Sequence, residues 1–215
     1  LYLASLASWI TLPALGLIAR CQQGTRRIYH GELELSKDQP CGEYGITAVV
    51  VANDGATAAL TASFDVLCTI GLRMDFTSID WGELTPGQPK VLRGDTIFAS
   101  PPDGAPTVKN VGNDGMGLKL KFAAMQSGPS GPTFDEFHSC FGRSALTLQC
   151  IDPIAAGSLV SFDADPARTL CAAETGKLDL AAHPPSAVPA DVYGGAVELI
   201  GYHIADRCAG NRHLP

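Results

Sequence analysis

Charge is scarce in this sequence: Asp, Glu, Lys and Arg make up 17% of 215 residues, and Lys and Arg together number only 15. With a formal net charge of -7, there is no basic footprint for nucleic acid. Arg20, Arg26 and Arg27 form one basic cluster, placed after an apolar stretch, where it reads as a solvated flank. No C-x-x-C pair is present, and the five histidines (His30, His138, His183, His203, His213) show no H-x-H or H-x-x-x-H spacing, so a zinc site would have to be assembled entirely by the fold. Gly128-Pro129-Ser130-Gly131 falls short of the G-x-S-x-G elbow and sits in a Pro-rich loop. The stretch Phe134-Asp135-Glu136-Phe137-His138-Ser139-Cys140 holds acid, imidazole and thiol, but local adjacency is not the geometry of cysteine catalysis. No catalytic, cofactor-binding or metal-binding residue is assigned, and the chain is read as non-enzymatic. Long helical periodicity and fixed-period repeats are absent too, which excludes bundles and solenoids.

What the sequence does have is cysteine. Seven of them (Cys21, Cys41, Cys68, Cys140, Cys150, Cys171, Cys208) are dispersed at wide spacing, a pattern of structural disulfides in an exported chain, at the cell surface or outside the cell. At least two bridges are expected, Cys140 with Cys150 being one candidate pair across a turn. The odd number leaves one sulfur over, and Cys21 or Cys208 is the candidate for a bond to a neighbouring molecule. Hydrophobic residues reach 46%, so little charge is left to solubilise a lone monomer and some apolar surface is expected to be covered by a partner.

Residues 1–18 carry no formal charge. Three readings stay open: a membrane anchor, since roughly 20 apolar residues span a bilayer; a strand inserted into a neighbouring subunit; or a buried N-terminal strand. Residues 1–20 are thus candidates for membrane contact. Beyond them, short β-rich runs alternate with Gly, Pro, Asn and Asp clusters. The expected strands are 28–35, 44–52, 56–70, 72–79, 107–111, 117–123, 145–151, 159–163, 177–181 and 192–204. Asn53-Asp54-Gly55 and Asn113-Asp114-Gly115 read as hairpin turns. In Leu118-Lys119-Leu120-Lys121-Phe122 the alternation puts Leu118, Leu120 and Phe122 in a core and both lysines in water. Val49-Val50-Val51 and the run from Ala56 to Ile70 are apolar on both faces in part, as in a central strand or a contact with another chain.

Three segments in order carry a resemblance: Ile79-Asp80-Trp81-Gly82-Glu83-Leu84-Thr85-Pro86-Gly87; Pro106-Thr107-Val108-Lys109-Asn110-Val111-Gly112-Asn113; and Leu178-Asp179-Leu180, Pro184-Pro185 and Pro189-Ala190-Asp191-Val192-Tyr193-Gly194-Gly195-Ala196-Val197-Glu198-Leu199. Residues 70–203 resemble immunoglobulin-like modules of archaeal and bacterial cell-surface proteins, with Trp81 where Phe is more usual and more cysteines than such modules carry. The resemblance implies an immunoglobulin-like sandwich, in keeping with the all-β, antiparallel pattern of the runs; with the apolar N-terminal extension read from composition, the expected division is 1–27, 28–208 and a tail at 209–215. TasA-like fibre subunits and archaeal pilus or sheath proteins are its functional models. The implied partners are identical subunits in a homo-oligomer or polymer; the alternative is a membrane-anchored accessory or binding module of a larger surface complex. The motifs have scaffold roles: Pro86-Gly87 turns the chain, Asn110, Gly112 and Asn113 end a strand, and Tyr193 buries its ring and bonds its hydroxyl to a loop. Weaker signals are an acidic set (Asp163, Asp165, with Asp152 or Asp103) suited to calcium, an Arg93-Gly94-Asp95 tripeptide, and a Lys109-Asn110 pair of the isopeptide type; solvated loops and an ordinary turn are the plainer readings of the first two.

Overall fold

The computed structural model describes residues 2–5, 8–11, 18–23, 26–30, 34–36, 39–51, 55–162, 165, 167–204 and 208, with side chains from residue 34 onward apart from Val50. Every regular element among them is a β-strand and every pairing is antiparallel. The chain divides into two compact units between Cys68 and Thr69, whereas the sequence reading placed the sandwich at 28–208; residues 28–68 fall in the first unit.

In the first unit, β1 (Tyr2–Ser5), β2 (Ser8–Thr11), β5 (Gly42–Val51) and β6 (Thr57–Val66) form a sheet in the order β2-β1-β5-β6, while β3 (Ile18–Gln23) and β4 (Arg26–His30) pair separately. The described part of residues 1–20 is therefore strand, β1 lying along β5 from Tyr2↔Thr47 to Ser5↔Tyr44. No helix among the described residues is long and apolar enough to cross a membrane. The β5–β6 hairpin closes at Val51↔Thr57, with Gly55 at φ +85, a conformation that costs glycine little. Asn53 and Asp54 lie outside the described residues. At the other end of the hairpin Cys41 bridges Cys68.

The second unit is a sandwich. Its larger sheet runs β15 (Gln149–Ala155), β14 (Glu136–Gly142), β17 (Thr175–Ala182), β10 (Thr107–Asn110), β7 (Leu72–Met74), with β9 (Lys90–Leu92) also on β17. The smaller sheet is β16 (Val160–Ser161), β11 (Met116–Phe122) and β19 (Val197–His203). Two ribbons complete it, β8 (Glu83–Leu84) with β18 (Asp191–Val192) and β12 (Met125–Gln126) with β13 (Thr133–Phe134). Period-2 alternation fills the space between the sheets: Leu118, Leu120 and Phe122 from the smaller sheet meet Val108, Phe137, Phe141, Leu178 and Leu180 from the larger, all fully buried. Lys119 and Lys121 face outward but are half-buried, Lys119 Nζ lying 4.9 Å from the Tyr202 ring centroid and Lys121 Nζ 3.2 Å from Glu198; their stems cover sheet surface while the ammonium groups stay wet.

Asn113-Asp114-Gly115 does not form a hairpin. The strands on either side, β10 and β11, belong to opposite sheets, so the segment arches across the sandwich. The reason is Asn110. Its carboxamide is fully buried and donates to Asp114 O (2.6 Å) and Leu170 O (2.9 Å), while Oδ1 accepts from Gly112 N (2.9 Å) and more weakly from Gly71 N (3.5 Å). Asn113 Oδ1 accepts from the backbone and hydroxyl of Thr69. A Cβ on Gly112 would stand 2.3 Å from Thr69 O, so only glycine lets the arch approach that segment.

Candidate functional site: an open sheet edge and a histidine-flanked disulfide

Two features stand out from the scaffold, one in each unit. The first is β6. It is the last strand of its sheet, and among the described residues nothing pairs with its outer edge. Residues 57–63 are all exposed, Leu60 at 73%, and the facing Val49 and Val51 of β5 are exposed as well. Of the two readings of the 56–70 run, a central strand is overturned, because β6 is an edge; the strand itself ends at Val66. Natural edges are usually guarded by Lys, Pro, bulges or shortness. Over its ten residues β6 has a single charge, Asp65, no proline, and an unbroken register with β5.

The second feature is the outer face of β14, β15 and β17. Cys140 and Cys150 lie directly opposite in the β14–β15 register and are bridged. On the same face His138 stacks on His183 at 6.2 Å. His138 Nε2 lies 3.1 Å from Cys140 Sγ, and Nδ1 is 3.3 Å from Asp152 Oδ2, close enough for an ion pair but without hydrogen-bond geometry. The third bridge joins Cys171 and Cys208. Three bridges thus use six of the seven cysteines, and Cys208 is corrected from candidate intermolecular sulfur to an intrachain partner. The seventh, Cys21, is skipped by the β3–β4 register, which shifts between Arg20 and Gln22; its side chain lies outside the described residues.

The remaining sequence signals are dispersed or structural. Asp165 caps its own turn through Ala167 N, Asp103 does so through Ala105 N, and Asp152 faces His138; Asp163 lies outside the described residues, and among those described Asp103, Asp152 and Asp165 form no metal-holding group. In Arg93-Gly94-Asp95 the glycine is packed so that a Cβ would meet Pro106 O at 2.1 Å, and Asp95 Oδ1 is taken by Thr107 Oγ1 and Ile97 N. Lys109 Nζ lies near the Phe98 ring while the Asn110 carboxamide points inward, so they are not brought together. Ser130 is exposed in its loop.

Tyr193 has its expected role, buried at 4% exposure with its hydroxyl on Pro189 O at 2.9 Å. Tyr44 repeats the device in the first unit, bonding Pro40 O at 2.7 Å; the shared P-x-x-x-Y spacing, visible in the sequence, is the signal that would have found it. Tyr193 also lines an apolar cleft with Phe76, Ile79, Trp81, Met125 and Val197. Burial, aided by the Asp191 carboxylate, raises its phenol above the ordinary 10.0. An acid with a raised folded pKa contributes stability that is complete below the unfolded value and lost as pH rises through the folded one. Alkaline unfolding is therefore expected to steepen above about pH 10, and Tyr193→Phe to flatten that limb when the melting temperature is followed against pH.

The sequence matches no protein-family model and no curated protein. A solved structure from work headed "Chaperone-tip adhesin complex is vital for synergistic activation of CFA/I fimbriae biogenesis" is similar at 12% identity and a TM-score of 0.44, the match covering 83% of this chain and spanning 58% of the length of that one.

Proposed function

We propose that the chain is a non-enzymatic structural subunit of a cell-surface assembly, and that it joins identical copies by strand addition at β6. The observation that carries this reading is the ten-residue, unguarded outer edge of β6 with apolar side chains exposed around it. Such an edge presents a row of unpaired N–H and C=O groups, and an extended segment of a second copy satisfies them while its alternate side chains cover Leu60 and its neighbours. Three disulfides among the described residues fit a chain that matures in an oxidising compartment.

The test replaces Leu60 and Ala62 together with lysine. Both are exposed and on one face, so the fold of the single subunit is expected to survive, while two like charges per edge oppose pairing. Light scattering and electron microscopy of the wild-type chain at high concentration are expected to show fibres or oligomers. The double variant is expected to remain a monomer with an unchanged melting temperature. A wild-type chain that stays monomeric, or a variant that assembles equally well, would overturn strand addition at β6.

A further inference from the structure

The Cys140–Cys150 bridge differs from the other two in what surrounds its sulfurs. An H-x-C and a C-x-D spacing meet across the hairpin: His138 stands two residues before Cys140 on β14, and Asp152 two residues after Cys150 on β15, and although the register shifts at His138 the contacts of its ring put all four side chains together. The imidazole is therefore held between a carboxylate and a sulfur, with Nε2 3.1 Å from Cys140 Sγ and Nδ1 3.3 Å from Asp152 Oδ2. His183, stacked parallel to the ring within 10°, limits its swing on the other side. Among the described residues no imidazole contacts a sulfur of Cys41–Cys68 or Cys171–Cys208. Exposure is asymmetric as well: Cys140 is 6% exposed, while Cys150 is open to solvent.

We infer that Cys140–Cys150 is a thiol–disulfide exchange site, at which an incoming thiol attaches to Cys150. Exchange proceeds by attack of a thiolate on one sulfur with departure of the other, and it is faster when the leaving sulfur is the more stabilised anion. Here Cys150 is the exposed partner and Cys140 the buried one, so the nucleophile approaches from the side of Cys150. A bond forms between the incoming sulfur and Cys150 Sγ, the Cys140–Cys150 bond breaks, and its electron pair goes to Cys140 Sγ. With His138 as the imidazolium, both ring nitrogens carry hydrogen: the developing thiolate accepts the hydrogen bond from Nε2–H, a charge-assisted contact, and takes that proton, leaving a neutral ring with its remaining hydrogen on Nδ1. Asp152 is a positioning residue: a small rotation brings Nδ1–H onto its carboxylate, which holds the imidazole in the orientation that presents Nε2–H to sulfur. The products are a mixed disulfide on Cys150 and a thiol at Cys140, with no net oxidation, so no co-reactant beyond the thiol is needed. The inference does not depend on assembly through β6.

Reduced glutathione serves as the probe thiol on the full chain, with the reaction quenched by alkylation and adducts located by peptide mass mapping. The adduct is expected on Cys150 and not on Cys140, as the exposure of the two residues requires, and its rate is expected to depend on His138, which a merely structural bridge would not show. His138→Ala is expected to slow adduct formation about tenfold, and Asp152→Asn to slow it less, while exchange at the other two bridges is unchanged in both. Because His138 and Asp152 lie on the outer face, the variants are expected to melt with wild type. An adduct on Cys140, or a rate at this bridge unaffected by His138→Ala, would overturn the inference; the first of these is read on the wild-type chain and needs no variant to fold.

Discussion

Replacing Asn110 with alanine is expected to lower the unfolding free energy of the sandwich unit by about 4 kcal/mol, more than most polar substitutions cost. The side chain is fully buried and its carboxamide makes four contacts: two donated to Asp114 O and Leu170 O, two accepted from Gly112 N and Gly71 N. Leu170 O keeps a second partner in Met116 N. Among the described residues Gly112 N and Asp114 O bond to Asn110 alone, and truncation leaves both buried without a bond. Each such orphan costs about 1–3 kcal/mol, and the space left in the arch adds to it. Asn110→Asp separates this account from a simple loss of volume. It is nearly isosteric, yet it sets a carboxylate oxygen against two carbonyls in the interior, so it is expected to cost at least as much as alanine. For a unit of this size, a loss of that order lowers the melting temperature by roughly 10 °C, which Trp81 fluorescence in the core reports directly. An aspartate variant as stable as wild type would mean that the carboxamide does not hold the arch.

The same residue shows how much of the fold the sequence carried. The all-β class, the inward face of β11, the buried ring and bonded hydroxyl of Tyr193, and the Cys140–Cys150 pair all follow from local information: alternation, a Pro four residues before a Tyr, cysteines facing each other across a turn. Asn113-Asp114-Gly115 misleads because its hairpin signal is local, while the bond that decides the crossing comes from Leu170 O, 60 residues away in sequence. The central strand β14 was not among the expected strands either. Its inward set is Phe137, Ser139 and Phe141, and a serine in the core position hides the alternation; Ser139 Oγ is satisfied by Asp179 O at 2.9 Å, a partner on β17 that the sequence does not place. With β14 unseen, His138 and Cys140 looked like a compositional cluster, whereas the strand sets them on one face with Asp152. The open edge at β6 was half legible: its two-sided apolar character was plain, but only the sheet order shows that no described strand covers it.

Phe137→Ala is expected to destabilise the same unit by about 3–5 kcal/mol, because the ring it removes pins the two sheets together. Phe137 lies on β14 between Ile154 of β15 and Ala182 of β17, and it is fully buried. Its ring stacks on Phe122 of β11, in the opposite sheet, with centroids 4.4 Å apart and planes within 11°, and Phe134 covers it at 5.6 Å. None of these neighbours is free to fill the gap: Phe122 is fixed by its pairing with Val197 at the end of β11, and Phe134 by its pairing with Met125. The cavity therefore persists, and the cost is the transfer term plus the unfilled volume. Phe137→Leu keeps most of the volume and is expected to cost about 1.5 kcal/mol or less. A double-mutant cycle with Phe122→Ala isolates the stack, for which a coupling of about 1 kcal/mol is expected beyond area burial. Chemical denaturation supplies the measurement: the midpoint should move while the slope stays constant, since both variants expose the same surface on unfolding. If Phe137→Ala costs no more than Phe137→Leu, the sheets are held chiefly by Leu118, Leu120, Leu178 and Leu180, and the aromatic pair contributes only its share of area.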